Sequence, residues 1–305
     1  MISRSYITLA CLLLIVACIV SPVPSTSAPT INPTLVNLIP TQEASPTPLP
    51  VPTAGEPVAT PSTGSFELIG HSPLLQRGMN AAPSVYGNYI YIGSRTDGNH
   101  PDAGVLVLDI SNPANPQVVY QIGPPEESLP GQTSRELRVW LDQELLLVMN
   151  VSCDAVLHDC GQSSVPANIS FYDISGANVA APKLITAYSL GRTPHEMYLW
   201  DDPRVAGRAL LYLSTPANFT DNLLVLDISQ ARNGFVQEVS SWSAPFGVIR
   251  AQLHSLSLSV DGRRAYLAHL RDGFMILDTS DLADGISNPQ IDLITPPENW
   301  ARSAP

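Results

Sequence analysis

One pattern recurs four times and constrains this chain more than any other: an apolar run closed by Asp, a branched residue and Ser. It reads Val105-Leu106-Val107-Leu108-Asp109-Ile110-Ser111, then Ile169-Ser170-Phe171-Tyr172-Asp173-Ile174-Ser175, then Leu224-Val225-Leu226-Asp227-Ile228-Ser229, and last Met275-Ile276-Leu277-Asp278-Thr279-Ser280. Short, near-continuous apolar runs suit strands buried on both faces. Asp109, Asp173, Asp227 and Asp278 lie 64, 54 and 51 positions apart, a spacing that points to a propeller or a solenoid. An Asp at a strand end accepts backbone N–H groups two positions on. The four carboxylates therefore read as turn-fixing structural residues rather than as a chemical set.

The rest of each unit is legible around that strand. Alternating residues His254 to Val260 lead into Asp261-Gly262 and out through Ala265 to Ala268, a hairpin signal for a turn of type I′. Gly87-Asn88, Asp142-Gln143 and Trp200 to Pro203 occupy the same place in the other units. A strand introduced by Pro116, Pro182 or Pro289 closes three of them. Four strands per unit, both faces buried, predict an all-β chain: a β-propeller with about four four-stranded blades.

Val105 to Pro116, with its Asp-Ile-Ser-Asn-Pro segment, resembles the hallmark of the bacterial LVIVD-repeat proteins. The resemblance spans roughly residues 66–295. It implies a propeller at the cell surface, in a family whose members mostly lack an assigned activity. Tyr172 and Met275 depart from the aliphatic pattern, and no Asn-Pro follows Asp227. Phe66 to Gly70 reads as the last strand of a unit, yet the fourth unit has its own last strand at Ile291 to Ile294. An incomplete, truncated ring with two exposed blade faces is therefore expected; a four-bladed ring with a displaced leading strand is the alternative.

Two segments precede the repeats. Residues 1–20 place Arg4 before an apolar run from Tyr6 to Val20, the layout of an export signal. Ile15-Val16-Ala17-Cys18 resembles the bacterial lipobox, which makes Cys18 the expected lipidation site. The alternative small-residue cleavage site Thr26-Ser27-Ala28 is followed by Pro29, which blocks ordinary cleavage; an uncleaved signal anchor is the other reading. Residues 21–64 hold 11 of the 29 Pro and no aromatic residue. Such a stretch buries too little to offset its ordering entropy and is expected to be a disordered spacer. Residues 65–305 carry the blades.

Charge and cysteines narrow the function classes. A net charge of -12, with no run of Lys or Arg, argues against a nucleic-acid partner. Cys153 and Cys160 flank a short loop, and an exported setting favours a disulfide between them over a metal site with His158.

Chemistry is sparse. His195 and His254 open the innermost strands of the third and fourth units, with Arg135 and Asn80 near the equivalent places in the second and first. Together they could ring one mouth of the axis and bind a ligand, a metal or an anion. The competing reading is a strand-end His bonded to the next blade. Glu196 follows His195 directly, and strand alternation turns neighbouring side chains to opposite faces. No nucleophile elbow surrounds Ser255, Ser257 or Ser259, no dinucleotide or phosphate loop is present, and the loop Asp97 to Asp102 lacks the Glu of a calcium loop.

The expected function is a cell-surface-tethered binding or scaffolding module for a protein or carbohydrate ligand. It would be joined to the membrane through its lipid anchor and sit on the outer face of the cell envelope, with no cofactor and no catalytic residue. A metal-dependent propeller enzyme, broadly like the selenium-binding and methanethiol oxidase proteins, is the alternative. A non-functional truncated fragment is the third reading.

Overall fold

The computed structural model describes residues 66–95, 101–123, 131–152, 166–216, 222–244, 253–270 and 273–294. The chain divides into two units, Met1–Gly64 and Ser65–Pro305, and every described residue belongs to the second. Cys18, the Pro-rich segment, Cys153, His158, Cys160 and Asp97 to His100 lie outside the described residues. Among those described, no helix is long and apolar enough to cross a membrane.

Among the described residues, sixteen strands form four antiparallel four-stranded sheets, each built from consecutive strands. The first holds β1 (Asn80–Tyr86), β2 (Tyr89–Ser94), β3 (Val105–Asp109) and β4 (Gln117–Ile122). The second holds β5 (Gln132–Trp140), β6 (Leu145–Ser152), β7 (Asn168–Asp173) and β8 (Lys183–Ser189). The third holds β9 (Glu196–Asp201), β10 (Ala209–Ser214), β11 (Leu223–Asp227) and β12 (Gln237–Trp242). The fourth holds β13 (Leu253–Leu258), β14 (Arg264–His269), β15 (Gly273–Asp278) and β16 (Asp292–Ile294). Contacts run from β1 to β5, from β5 to β9 and from β9 to β13. Four meandering sheets meeting through their first strands are the blades of a β-propeller.

The apolar runs are explained by two-sided burial. In β6, Leu146 and Val148 enter the core shared with the first blade, while Leu145, Leu147 and Met149 enter the core shared with the third. In β10, Leu211 and Leu213 face the second blade, whereas Leu210 and Tyr212 face the fourth. The period of two thus feeds both neighbours from one strand.

The two end blades differ. On the first, Leu106 and Leu108 of the far face are buried at 0% and 3% exposure. On the fourth, Phe274 of the far face is 44% exposed and stacks on Tyr266 with ring centroids 6.1 Å apart. Both end blades nonetheless carry exposed apolar side chains on their far faces, since Val85, on the face of Leu108, is 55% exposed.

All four repeat Asp side chains make the same bond. The Oδ1 atoms of Asp109, Asp173, Asp227 and Asp278 accept the N–H of Ser111, Ser175, Ser229 and Ser280 at 2.8–3.0 Å. The branched residue between them closes onto the preceding hairpin: Ile110 N–H donates to Asn88 O, Ile174 to Glu144 O, Ile228 to Ala209 O and Thr279 to Arg263 O. Asp173 also ties blades together, accepting Arg232 of the third blade at 3.1 Å. Burial alone would raise its carboxyl; donation from Ser175, Asn178 and Arg232 outweighs this and holds it down at about 2.

Two local readings are corrected. Phe66 to Gly70 forms no strand. The outer edge of the fourth blade, which it would have to complete, is taken by β16. Gly70 instead packs on the backbone of Pro113 and Ala114. The Asp261-Gly262 hairpin is not of type I′: only Gly262 has positive φ, and Ser259 pairs with Arg264 around four intervening residues. The Asp261 carboxylate is occupied by Ser259 Oγ and Arg263 N–H, which draws the loop out beyond a two-residue turn.

Gly262 also lies under the buried Trp200 ring, where a Cβ would stand 2.4 Å from Cε2. Gly262→Ala should lower stability by about 2–4 kcal/mol through overpacking added to a left-handed backbone. Gly87→Ala, also at positive φ but in open space, should cost only about 1 kcal/mol. Urea melts separate the two; equal losses would remove the Trp200 contact as the cause. A second expectation concerns acid. Because the Asp173 carboxyl titrates lower in the folded chain than its unfolded value of about 3.9, its contribution is complete above pH ~4 and is lost as pH falls towards 2. Arg232→Met should shift that loss to higher pH in urea melts collected across the acid range, and an unchanged pH profile would contradict the assignment.

Candidate functional site

The register puts two different chemistries at opposite ends of the blades. Asp109 pairs with Tyr89, Asp173 with Leu145, Asp227 with Leu210 and Asp278 with Arg264, all at the starts of second strands. That end holds the hairpins and the Asp turns. The other end is where first strands begin and second strands finish, and it gathers His195, Glu196, His254, Arg135 and Arg95.

The backbone explains how these side chains come together. In β5 the ladder passes from the Ser134–Asn150 pair to the Glu136–Met149 pair, so Arg135 is an extra residue that the register skips. In β13 it passes from Leu253–His269 to Ser255–Ala268, so His254 is likewise extra. Both are β-bulges, which break strict alternation and re-aim a side chain. His195 precedes β9, with its N–H on Ser214 O at 2.8 Å. Alternation therefore does not separate it from Glu196 in the way the sequence suggests.

Ser214, wholly buried at the end of β10, fixes the group from beneath. Its hydroxyl accepts the N–H of Glu196 at 3.0 Å and donates to His254 O at 3.0 Å. This one side chain locks the third blade to the fourth at the site.

The contacts are close. His195 Nε2 lies 2.9 Å from His254 Nε2, with ring centroids 4.3 Å apart in an edge-on arrangement. Arg135 reaches the same His195 nitrogen at 3.2 Å. His254 Nδ1 lies 2.6 Å from Ser255 Oγ and 3.7 Å from Glu196 Oε1. His195 is half-buried; desolvation first, then the charges of Arg135, His254 and Arg95, push its imidazole down to about 4. Arg95, just beyond β2, is thus within electrostatic reach. Glu136, partly buried beside the group, has its carboxyl raised by desolvation and by Glu196, with Arg138 and Arg135 opposing. Ligating atoms of His195, Glu196 and His254 lie within 4.8 Å of one another, the one such group of three among the described residues.

Asn80 does not join this set. Its carbonyl oxygen accepts Arg77 Nε at 2.8 Å. Arg77, 8% exposed, spends its other donors on the carbonyls of Ile92, Gly93, Asp102 and Gly104. Sequence reasoning missed Arg77, Arg95 and Ser214, and it separated Glu196 from its neighbours. An isolated Arg in a segment without periodicity carries no signal of burial, and a bulge leaves none in composition.

A concavity of about 400 Å³ opens between the third and fourth blades at the Asp-turn end, bordered by Arg208, Asp227, Gln237 and Asn288. Arg208 is already committed to Asp202 and to the carbonyls of Leu282 and Ala283.

A family model matches two segments, residues 81–122 and 254–289. Both match the LVIVD repeat. The first LVIVD segment coincides with the whole first blade, and the second runs from His254 to the residues before β16. The second and third blades share the same Asp-to-Ser bond without matching the family model. No curated protein sequence matches the chain. Among solved structures, it is similar to the periplasmic gluconolactonase PpgL of Pseudomonas aeruginosa, at 17% identity and TM-score 0.47, covering 68% of this chain and 53% of that one. It is similar to a putative 6-phosphogluconolactonase of Bacteroides fragilis, at 13% identity and TM-score 0.46, covering 71% and 58%. It is also similar to Sqt1 of Chaetomium thermophilum, at 16% identity and TM-score 0.46, covering 72% and 50%. The chain spans about half the length of these solved structures.

Proposed function

We propose that this chain is an exported, envelope-tethered binding module that receives a carboxylate or similar oxyanion where Arg95, Arg135, His195 and His254 meet. The observation that carries this reading is the convergence itself: four consecutive blades each send one basic side chain to the same end. Two permanent guanidinium charges stand here beside the carboxylates of Glu136 and Glu196, in a chain of net charge -12. Planar guanidinium groups suit carboxylates in particular. The tether rests on the sequence of residues 1–64, and the ligand on the cell surface, protein or carbohydrate, would present the acid group.

Citrate and inorganic phosphate serve as probes on the full chain. Each should raise the melting temperature with dose, beyond sodium chloride of matched ionic strength, as expected for a ligand that binds only the folded state. Arg135→Gln should abolish the excess while leaving the unliganded melt within a few degrees. A shift no larger than that of chloride, or one unchanged in Arg135→Gln, would overturn the reading. For the tether, Cys18→Ser should move the chain from the membrane fraction to the soluble one; identical fractionation of the two forms would rule out lipidation there.

A further inference from the structure

The hydrogen bonds around His195 do not close. A guanidinium only donates, so the approach of Arg135 requires a lone pair on His195 Nε2. His254 Nε2 lies 2.9 Å from the same atom. With His254 Nε2 protonated, one lone pair is faced by two donors; with only Nδ1 protonated, two lone pairs face each other. The arrangement gains a consistent role for each imidazole once a cation stands between the two rings.

We infer that His195 Nε2, His254 Nε2 and the Glu196 carboxylate form a site for a divalent transition-metal ion with the ligand preferences of zinc. This goes beyond the oxyanion reading and shares its residues, because the ion would lie among the same side chains. Two imidazoles and a carboxylate suit zinc and its neighbours, and not magnesium or calcium, which take all-oxygen shells. At zinc–nitrogen distances of about 2.0–2.1 Å, two ligands at a tetrahedral angle stand about 3.3 Å apart. The His nitrogens need to separate by only a few tenths of an ångström, and Glu196 has to draw in from its place within 4.8 Å.

The surroundings supply what such ligands need. With Nε2 on the ion, His254 Nδ1–H is left to donate to Ser255 Oγ, a partner that orients the ring. The Ser214 hydroxyl already pins the Glu196 and His254 backbones together. Three protein ligands leave a fourth position open. Arg135 would have to leave His195 Nε2, and an oxyanion in that fourth position would hold it nearby. The carboxylate of Glu136 already feels the Arg135 charge.

Titration of the full chain, stripped with EDTA and then dialysed, with Zn²⁺ alone by calorimetry tests this. The chain should show a step of one equivalent that is absent in His254→Ala and His195→Ala, with Glu196→Gln about 10- to 100-fold weaker and Mg²⁺ silent. Any zinc taken by Cys153, His158 and Cys160 would remain in all the variants and so is subtracted. If the His variants bind as many equivalents as the parent, the inference falls. Should a His variant fail to fold, the visible spectrum of Co²⁺ added to the parent chain decides: bands of a low-symmetry nitrogen–oxygen site support it, and the spectrum of aqueous Co²⁺ overturns it. Citrate and phosphate binding by stripped protein with no one-equivalent zinc step would leave the oxyanion reading standing and the metal inference refuted. Zinc binding without any citrate or phosphate effect would do the reverse.

Discussion

Every interior sheet of this chain has to be covered on both faces, and the rest of the structure follows from that requirement. A strand such as β6 carries no polar face at all: its odd and even residues belong to different cores. A single blade would therefore expose half its apolar residues, and only the stack is stable. The same requirement explains the low charge content. Polar ties add to the stacking, joining neighbouring blades through Tyr86 to Glu144, Arg138 to Met197 O and Trp200 to Val260 O.

The Asp turns and the basic cluster divide the two ends of the stack between support and chemistry. At one end, four carboxylates are consumed by backbone N–H groups and a neighbouring Arg, which leaves them little capacity for a ligand. At the other, Arg135, His195, His254 and Glu196 contact one another across blade boundaries. Their geometry depends on how adjacent blades are set, since Ser214 on the third blade holds the backbone of the fourth.

Fold and site were unequally legible in the sequence. The Asp-ended strands are written in local terms, an apolar run and a turn residue, and local terms are what periodicity reports. Their pairing into four sheets follows from the hairpins between them. Phe66 to Gly70 was misread because strand-like composition cannot say whether an edge is vacant. The placing of His195 and His254 at one end followed from strand order, while their direct contact depended on a bulge at His254. A bulge is set by how a ladder slips, which no residue type announces. Arg77 was invisible for a different reason: four of its donor contacts go to backbone carbonyls far along the chain, and a long-range pattern of backbone acceptors leaves no mark on composition.

The bulges have a consequence for how such a scaffold can change. Arg135 and His254 are the residues that the ladder skips, so neither contributes a rung to its sheet. A new side chain at either place alters what is presented at the mouth without asking the strands to re-register. The blades can thus keep one architecture while the recognition surface drifts, and relatives with the same strands need not share a ligand.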